Sequence, residues 1–148
     1  MLKDQLAMLL VGLWWGSLTA LILWVVPLLF VHLPTPAMAG SMAARLFSAQ
    51  TWVALGCGAS LLVILRSKST QASVKWSNIA TVLIVFAMLL ALLLEFAVAP
   101  RIVSRVNLRL WHGLGSAMMV LECLCTGALV WVLAAQGRRQ GGGQDVDH

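Results

Sequence analysis

Long apolar stretches alternate with short polar segments along the chain. The first apolar stretch covers residues 6–31 without a charged side chain, and three more follow at about 46–65, 76–99 and 111–135. A helix needs about 20 apolar residues to cross the hydrocarbon core of a bilayer, and each stretch meets that length. Unpaired strands could not satisfy their backbone groups in lipid. The pattern therefore predicts an all-α fold, an integral membrane four-helix bundle.

The segments between the spans carry their own signals. The polar loop 66–77 predicts a plain hairpin connection. Thr35 followed by Pro36 is typical of a helix N-cap and first helical position, so we expect a helix that runs from about Pro36 straight into the second span. We expect residues 1–136 to form one transmembrane domain and residues 137–148 to form a flexible polar tail.

Composition supports a membrane location. Hydrophobic residues make up 61% of the 148 residues and charged residues 10%, against roughly 45–50% and about 25% in soluble globular domains. A soluble protein of this size must cover a large surface with polar residues, and this chain has too few. The apolar region at residues 6–31 is far longer than the core of a cleaved signal, so we expect a retained helix surrounded by a lipid bilayer.

The charged residues indicate an orientation and exclude some partners. With four spans, six Lys and Arg residues lie on the side of the two termini and four on the other side. The positive-inside rule then places both termini in the cytoplasm, and we expect a multi-pass protein of a bacterial inner membrane. The basic residues form no stripe that could follow a phosphate backbone, so we expect no nucleic-acid partner.

Small residues recur at helical spacing in the first two spans. Gly12, Gly16 and Ala20 occupy every fourth position of span one, and Gly56 and Ser60 repeat the spacing in span two. Such stripes allow close approach of another helix, and we expect them to pack within the bundle.

Two tryptophan side chains of the first span lie deeper in the membrane than the headgroup level, where tryptophan rings are usually found. We expect at least one of Trp14 and Trp15 to pack within the bundle.

Two carboxyl groups lie inside the predicted spans, where each costs several kcal/mol unless it is paired or faces water. Glu95 precedes Pro100 by five residues, which places it roughly 7 Å below the outer boundary of the membrane. Glu122 follows His112 by ten residues and lies roughly 15 Å down span four, near the middle of the membrane. We expect Glu122 to face the interior of the bundle.

Several polar side chains should meet near the outer membrane surface. Arg101, Arg105 and Arg109 repeat every fourth position and predict one face of a helix between spans three and four. This region leaves two interpretations open, a salt-bridged lid that ties the helix ends together or a vestibule for a ligand or ion. The residues proposed for the vestibule are His32, Glu95, Arg101, Arg105, His112 and Ser116.

Metal or haem binding is an alternative that depends on few residues. Cys57, Met119 and Cys123 are weak candidates for a soft-metal path through the membrane. His32 and His112 share one level, which is a minimal requirement for axial haem ligation. Our leading expectation is that the protein has no cofactor.

The motifs in their order resemble a known family. They are Trp14-Trp15-Gly16-Ser17, Pro27-Leu28-Leu29-Phe30, Ala39-Gly40, Arg45-Leu46-Phe47, Glu95 with Ala99-Pro100-Arg101, and Trp111-His112-Gly113-Leu114. Over about residues 6–135 the chain is similar to bacterial members of the transmembrane-protein-205-like family, domain of unknown function 4149. The resemblance implies a four-helix membrane bundle and no settled reaction. The family often has His-Gly-Leu-Ser at the start of the last span, whereas this chain has Gly115 in the fourth place and Ser116 after it.

Three functions remain open from the sequence. The leading one is a non-enzymatic membrane protein that binds or passes a small solute or ion. We expect this protein to form an oligomer or to belong to a membrane complex. Its vestibule would lie at the outer surface, with Glu122 as a deeper gate. The alternatives are a haem- or metal-linked redox component and a scaffold subunit without a ligand.

Overall fold

Within the described residues, the fold consists of four long helices. The computed structural model describes residues 2–67, 74–104 and 107–141. Helix α1 comprises Leu2–Ala20, Leu21–Val25 and Val26–His32; α2 is Pro36–Ser67; α3 comprises Val74–Leu93, Leu94–Val98 and Ala99–Val103; and α4 is Leu108–Gly141. Each contains a segment long and apolar enough to cross a membrane. The prediction of an all-α, four-helix membrane bundle is confirmed.

The start of α2 follows the predicted local chemistry. The backbone N–H of Met38 donates to Thr35 Oγ1 at 3.3 Å, and the helix continues without a break from Pro36 through the second span. At the other end of the chain, α4 continues to Gly141, into the segment predicted to be a tail. Residues 68–73 of the predicted hairpin loop and residues 142–148 lie outside the described residues.

A proline widens both α1 and α3 at similar positions. Each helix has a five-residue π-helical turn, Leu21–Val25 in α1 and Leu94–Val98 in α3, and Pro27 or Pro100 follows it by two residues. Proline lacks a backbone N–H, and its ring clashes with the carbonyl group four residues earlier. A wider π-turn moves that carbonyl away, so each helix can continue across its proline.

The connection between α3 and α4 differs from the predicted single helix. Helix α3 ends at Val103, and α4 begins after Asn107, whose φ of 43° lies in the left-handed region that asparagine tolerates. Arg101 and Arg109 therefore belong to different helices, and the prediction of one arginine face is wrong. Arg105 lies outside the described residues.

Each helix packs against two neighbours in a cyclic order. Helix α1 contacts α2 and α4, and α3 contacts the same two helices. Lys3 Nζ donates to Ser67 Oγ at 3.2 Å, which joins the start of α1 to the end of α2. Trp14 is fully buried in the core, which confirms the expectation for the tryptophan pair, and Trp15 is partly exposed. We call the opposite end of the bundle, where α1 ends and α2 begins, the distal end.

The small-residue stripes do not pack within the bundle, which corrects the expectation. A Cβ atom added at Gly12, Gly16 or Gly56 would meet no atom within 4 Å, and Ala20 and Ser60 are exposed. The inner face of α1 instead carries larger side chains, Ala7, Val11, Trp14 and Leu18. Span one is apolar around its whole circumference, so its pattern cannot reveal which face is buried.

A close contact between helices occurs instead at a glycine that the small-residue stripes do not include. A Cβ atom added at Gly58 would lie 2.5 Å from Met88 Sδ and 3.3 Å from Trp14 Cζ3. Gly58 therefore allows α2 to approach both neighbouring helices.

Candidate functional site

A cavity of about 480 Å³ lies at the distal end of the bundle, and all four helices line it. Most of its wall is apolar, with Ile22 and Phe30 from α1, Phe47 from α2, Val98 from α3 and Met119 from α4. Small-molecule sites in proteins usually measure about 300–1,000 Å³ and are mostly apolar with a few polar groups. The cavity is large enough for a small ligand.

The polar groups of the wall include half of the predicted vestibule. Glu95, His112 and Ser116 line the same cavity. Ser41 joins them from the first turns of α2. Nothing in the sequence distinguishes Ser41 from other small residues near it, because its position depends on how α2 packs against the other helices.

Glu95 has a partner that the sequence analysis missed. The Ser48 hydroxyl donates a hydrogen bond to Glu95 Oε1, which joins α2 to α3 at the cavity wall. The two residues are 47 positions apart, and only the antiparallel register of the two helices brings them together. Glu95 also lies in the π-turn Leu94–Val98, so the turn before Pro100 helps to direct its side chain.

Two further predicted vestibule residues, His32 and Arg101, do not line the cavity, and Arg105 lies outside the described residues. His32 Nδ1 lies 3.0 Å from Leu28 O, within its own helix. Arg101 Nη1 donates to Ala97 O at 2.6 Å, and its guanidinium carbon is 4.5 Å from the centre of the Trp111 ring. Among the described residues, neither Arg101 nor a histidine forms an ion pair with Glu95, so the salt-bridged lid is not formed there.

Glu122 faces inward but does not line the cavity. It is 4% exposed, and its Oε1 accepts a hydrogen bond of 3.1 Å from Trp14 Nε1. The Thr126 hydroxyl donates to the backbone carbonyl of Glu122 at 2.9 Å. The sequence analysis predicted the inward direction from the cost of a carboxyl group in lipid, but it did not identify the indole donor.

Comparison with known proteins gives one match. Residues 9–110, more than two thirds of the chain, match the model of a family described as a domain of unknown function, DUF4149. The chain belongs to the DUF4149 family. No curated protein and no solved structure matches it significantly. The DUF4149 match includes Ser41, Ser48 and Glu95, and it ends before His112 and Ser116.

The candidate metal ligands of this DUF4149 protein lie in different places. Cys57 belongs to the buried core, Met119 lines the cavity, and Cys123 Sγ lies 3.4 Å from Thr19 Oγ1 between α1 and α4. In the part of the chain that the structure describes, no three His, Cys, Asp or Glu side chains come together in a group that could hold a metal ion.

One buried polar side chain lies just beyond the cavity. Gln50 is 6% exposed, and its Nε2 has no hydrogen-bond partner among the described groups. It follows the wall residue Phe47 by three positions, so it lies about one turn further along α2. Gln50 does not belong to the cavity wall.

Proposed function

We propose that this membrane protein binds a small, mostly apolar molecule in the distal cavity and holds its polar end near Glu95 and His112. The carboxyl group of Glu95 on the wall of a largely apolar cavity is the main support. A carboxyl group within a span costs several kcal/mol unless it is paired or faces a solvated or occupied space. Ser48 provides one hydrogen bond, and a ligand would provide the next.

The proposal extends to the surroundings of the protein. We place it in a bacterial inner membrane with both termini in the cytoplasm, because the side of the termini carries six of the ten basic residues. Passage of a solute or ion, with Glu122 as a deeper gate, would require a path from the cavity to that residue.

A cavity-filling substitution tests ligand binding. Gly40 lines the cavity, and a Cβ atom there would meet nothing within 4 Å, so Gly40→Leu should fill space without moving the backbone. Gly56→Leu is the matched control. A Cβ atom at Gly56 would also meet nothing within 4 Å, but Gly56 lies on the outer face of the bundle. Native mass spectrometry of detergent-solubilised protein should show a bound small molecule in the wild type and in Gly56→Leu, and its loss in Gly40→Leu.

Two results would contradict the proposal. One is wild-type protein that carries no bound molecule, and the other is equal retention in both leucine variants. A Soret band in the purified protein would instead favour the haem-linked alternative.

The outer small-residue stripe supports a second role as a partner of another transmembrane helix. Gly12, Gly16 and Ala20 are exposed on one side of α1, where a helix from a second copy or another membrane protein could approach closely. Gly16→Leu should lower the mass of the particle in mild detergent. Val82→Ala, at an exposed position of α3, serves as a control that should leave it unchanged. An unchanged mass in Gly16→Leu would argue against the stripe as a contact.

A further inference from the structure

The polar atoms on the cavity wall are mostly hydrogen-bond acceptors. The Ser41 hydroxyl donates to Met38 O and the Ser116 hydroxyl donates to His112 O, both at 2.9 Å, so both hydrogens are already used. A carboxylate only accepts hydrogen bonds, and one oxygen of Glu95 already accepts from Ser48. Among the described residues, no group donates to the second carboxylate oxygen or to the serine lone pairs, so these acceptors remain for a ligand. The His112 ring can either donate or accept a hydrogen bond.

The described cations do not neutralise the carboxylate on this wall. Arg101 is held by Ala97 O and by the ring of Trp111, and it does not line the cavity. Arg45 and Arg109 are exposed and are also absent from the wall. His112 is the one wall residue among those described that can carry a positive charge, and it forms no ion pair with Glu95.

We propose that the cavity takes a lipophilic amine, with its ammonium group donating to the free carboxylate oxygen of Glu95. This inference rests on the proposed function and specifies its ligand class. The hydrocarbon part of the ligand would lie against Phe30, Phe47 and Met119. A hydrogen bond between two charged groups is shorter and stronger than a neutral one, so the ammonium group is favoured over a hydroxyl. A ligand with a carboxylate or phosphate would meet a like charge at the wall.

Three probes with the same chain and different polar ends test the ligand class. Radiolabelled decylamine, decanol and decanoate are equilibrated by dialysis with phosphatidylcholine nanodiscs that contain the protein. Empty nanodiscs of the same lipid correct for partition into the bilayer. Decylamine should bind at least about tenfold more tightly than decanoate, with decanol between them.

Matched carboxyl-to-amide variants test whether the preference for decylamine depends on Glu95. Glu95→Gln can still accept from Ser48 but loses the charge, so the advantage of decylamine over decanol should disappear. Asp4→Asn makes the same carboxyl-to-amide change at the opposite end of the bundle and should keep the wild-type order of affinities. If Glu95→Gln does not yield folded protein, Glu95→Asp withdraws the carboxylate by one methylene and should reduce the advantage.

The outcomes separate the ligand class from the proposed function. Equal binding of all three probes, or tighter binding of decanoate, would overturn the proposal of an amine ligand. The proposed function would still stand in that case, provided that Gly40→Leu blocks binding of the probes. Persistence of the decylamine advantage in Glu95→Gln would also overturn the proposal of an amine ligand. If no probe binds beyond the empty nanodiscs, or if Gly40→Leu binds like the wild type, the proposed function itself fails.

Discussion

Replacing Trp14 by phenylalanine removes the indole donor of a buried hydrogen bond and leaves a ring of similar character in place. The Trp14 side chain is fully buried, and its Nε1 lies 3.1 Å from Glu122 Oε1. An acceptor left unsatisfied in a buried site costs about 1–3 kcal/mol. The smaller ring also leaves a void, at about 1 kcal/mol for each methyl-sized gap. The free energy of unfolding should therefore fall by about 2–4 kcal/mol.

A double-mutant cycle separates the hydrogen bond from the packing. The cycle combines Trp14→Phe with Glu122→Leu, which removes the acceptor, and it compares the sum of the single effects with the double variant. Measured hydrogen bonds between transmembrane helices average about 0.6 kcal/mol and reach about 1.7 kcal/mol, so we expect a coupling energy in that range. Unfolding is followed by circular dichroism during titration with dodecyl sulfate, because this signal does not depend on the tryptophans.

An exposed tryptophan provides the control. Trp24 is 73% exposed, so Trp24→Phe should change the free energy of unfolding by no more than about 0.5 kcal/mol. A coupling energy of zero between Trp14 and Glu122 would refute the argument that their bond joins α1 to α4. Equal effects of the two phenylalanine variants would refute the packing argument.

Three further sets of substitutions test the helix contacts and the shape of the site. Gly58→Ala should destabilise the protein by about 1–3 kcal/mol through overpacking, whereas Gly56→Ala should have little effect in the same dodecyl sulfate titration; equal effects would contradict the close contact. Pro100→Ala should allow an ordinary α-turn and weaken decylamine binding at least threefold at unchanged helix content by circular dichroism; unchanged affinity would show that the π-turn does not shape the site. Arg101→Ala and Trp111→Ala should each cost no more than about 1 kcal/mol in stability, and their double variant should cost less than the sum; full additivity would argue against a cation–π contact.

Local chemistry and the requirements of lipid were sufficient to predict much of the fold. Four apolar stretches of sufficient length require four spans, because a helix satisfies its own backbone groups in lipid. The pair Thr35 and Pro36 identified where α2 begins, since capping depends on neighbours in sequence. The inward direction of Glu122 followed from the cost of exposing a carboxyl group to lipid.

The details of the site required the register between helices. The hydrogen bond from Ser48 to Glu95 joins residues 47 positions apart, and no local pattern relates them. The vestibule prediction grouped Glu95 with His112, and both residues line the cavity near the same end of the bundle. It placed Arg101 with them as well, but the guanidinium group of Arg101 lies over the ring of Trp111, which follows a helix break that spacing alone did not indicate.

The sequence by itself determined that the chain spans a membrane four times and where each helix approximately lies, because these properties depend on length, hydropathy and local capping. Only the tertiary structure decided which face of each helix is inner. Span one is apolar all round, so the choice between the stripe of Gly12 and the stripe of Trp14 depends on what the neighbouring helices can accommodate. The cavity follows from the same cause, since its wall is formed by side chains from four helices whose relative rotation and depth only packing can set.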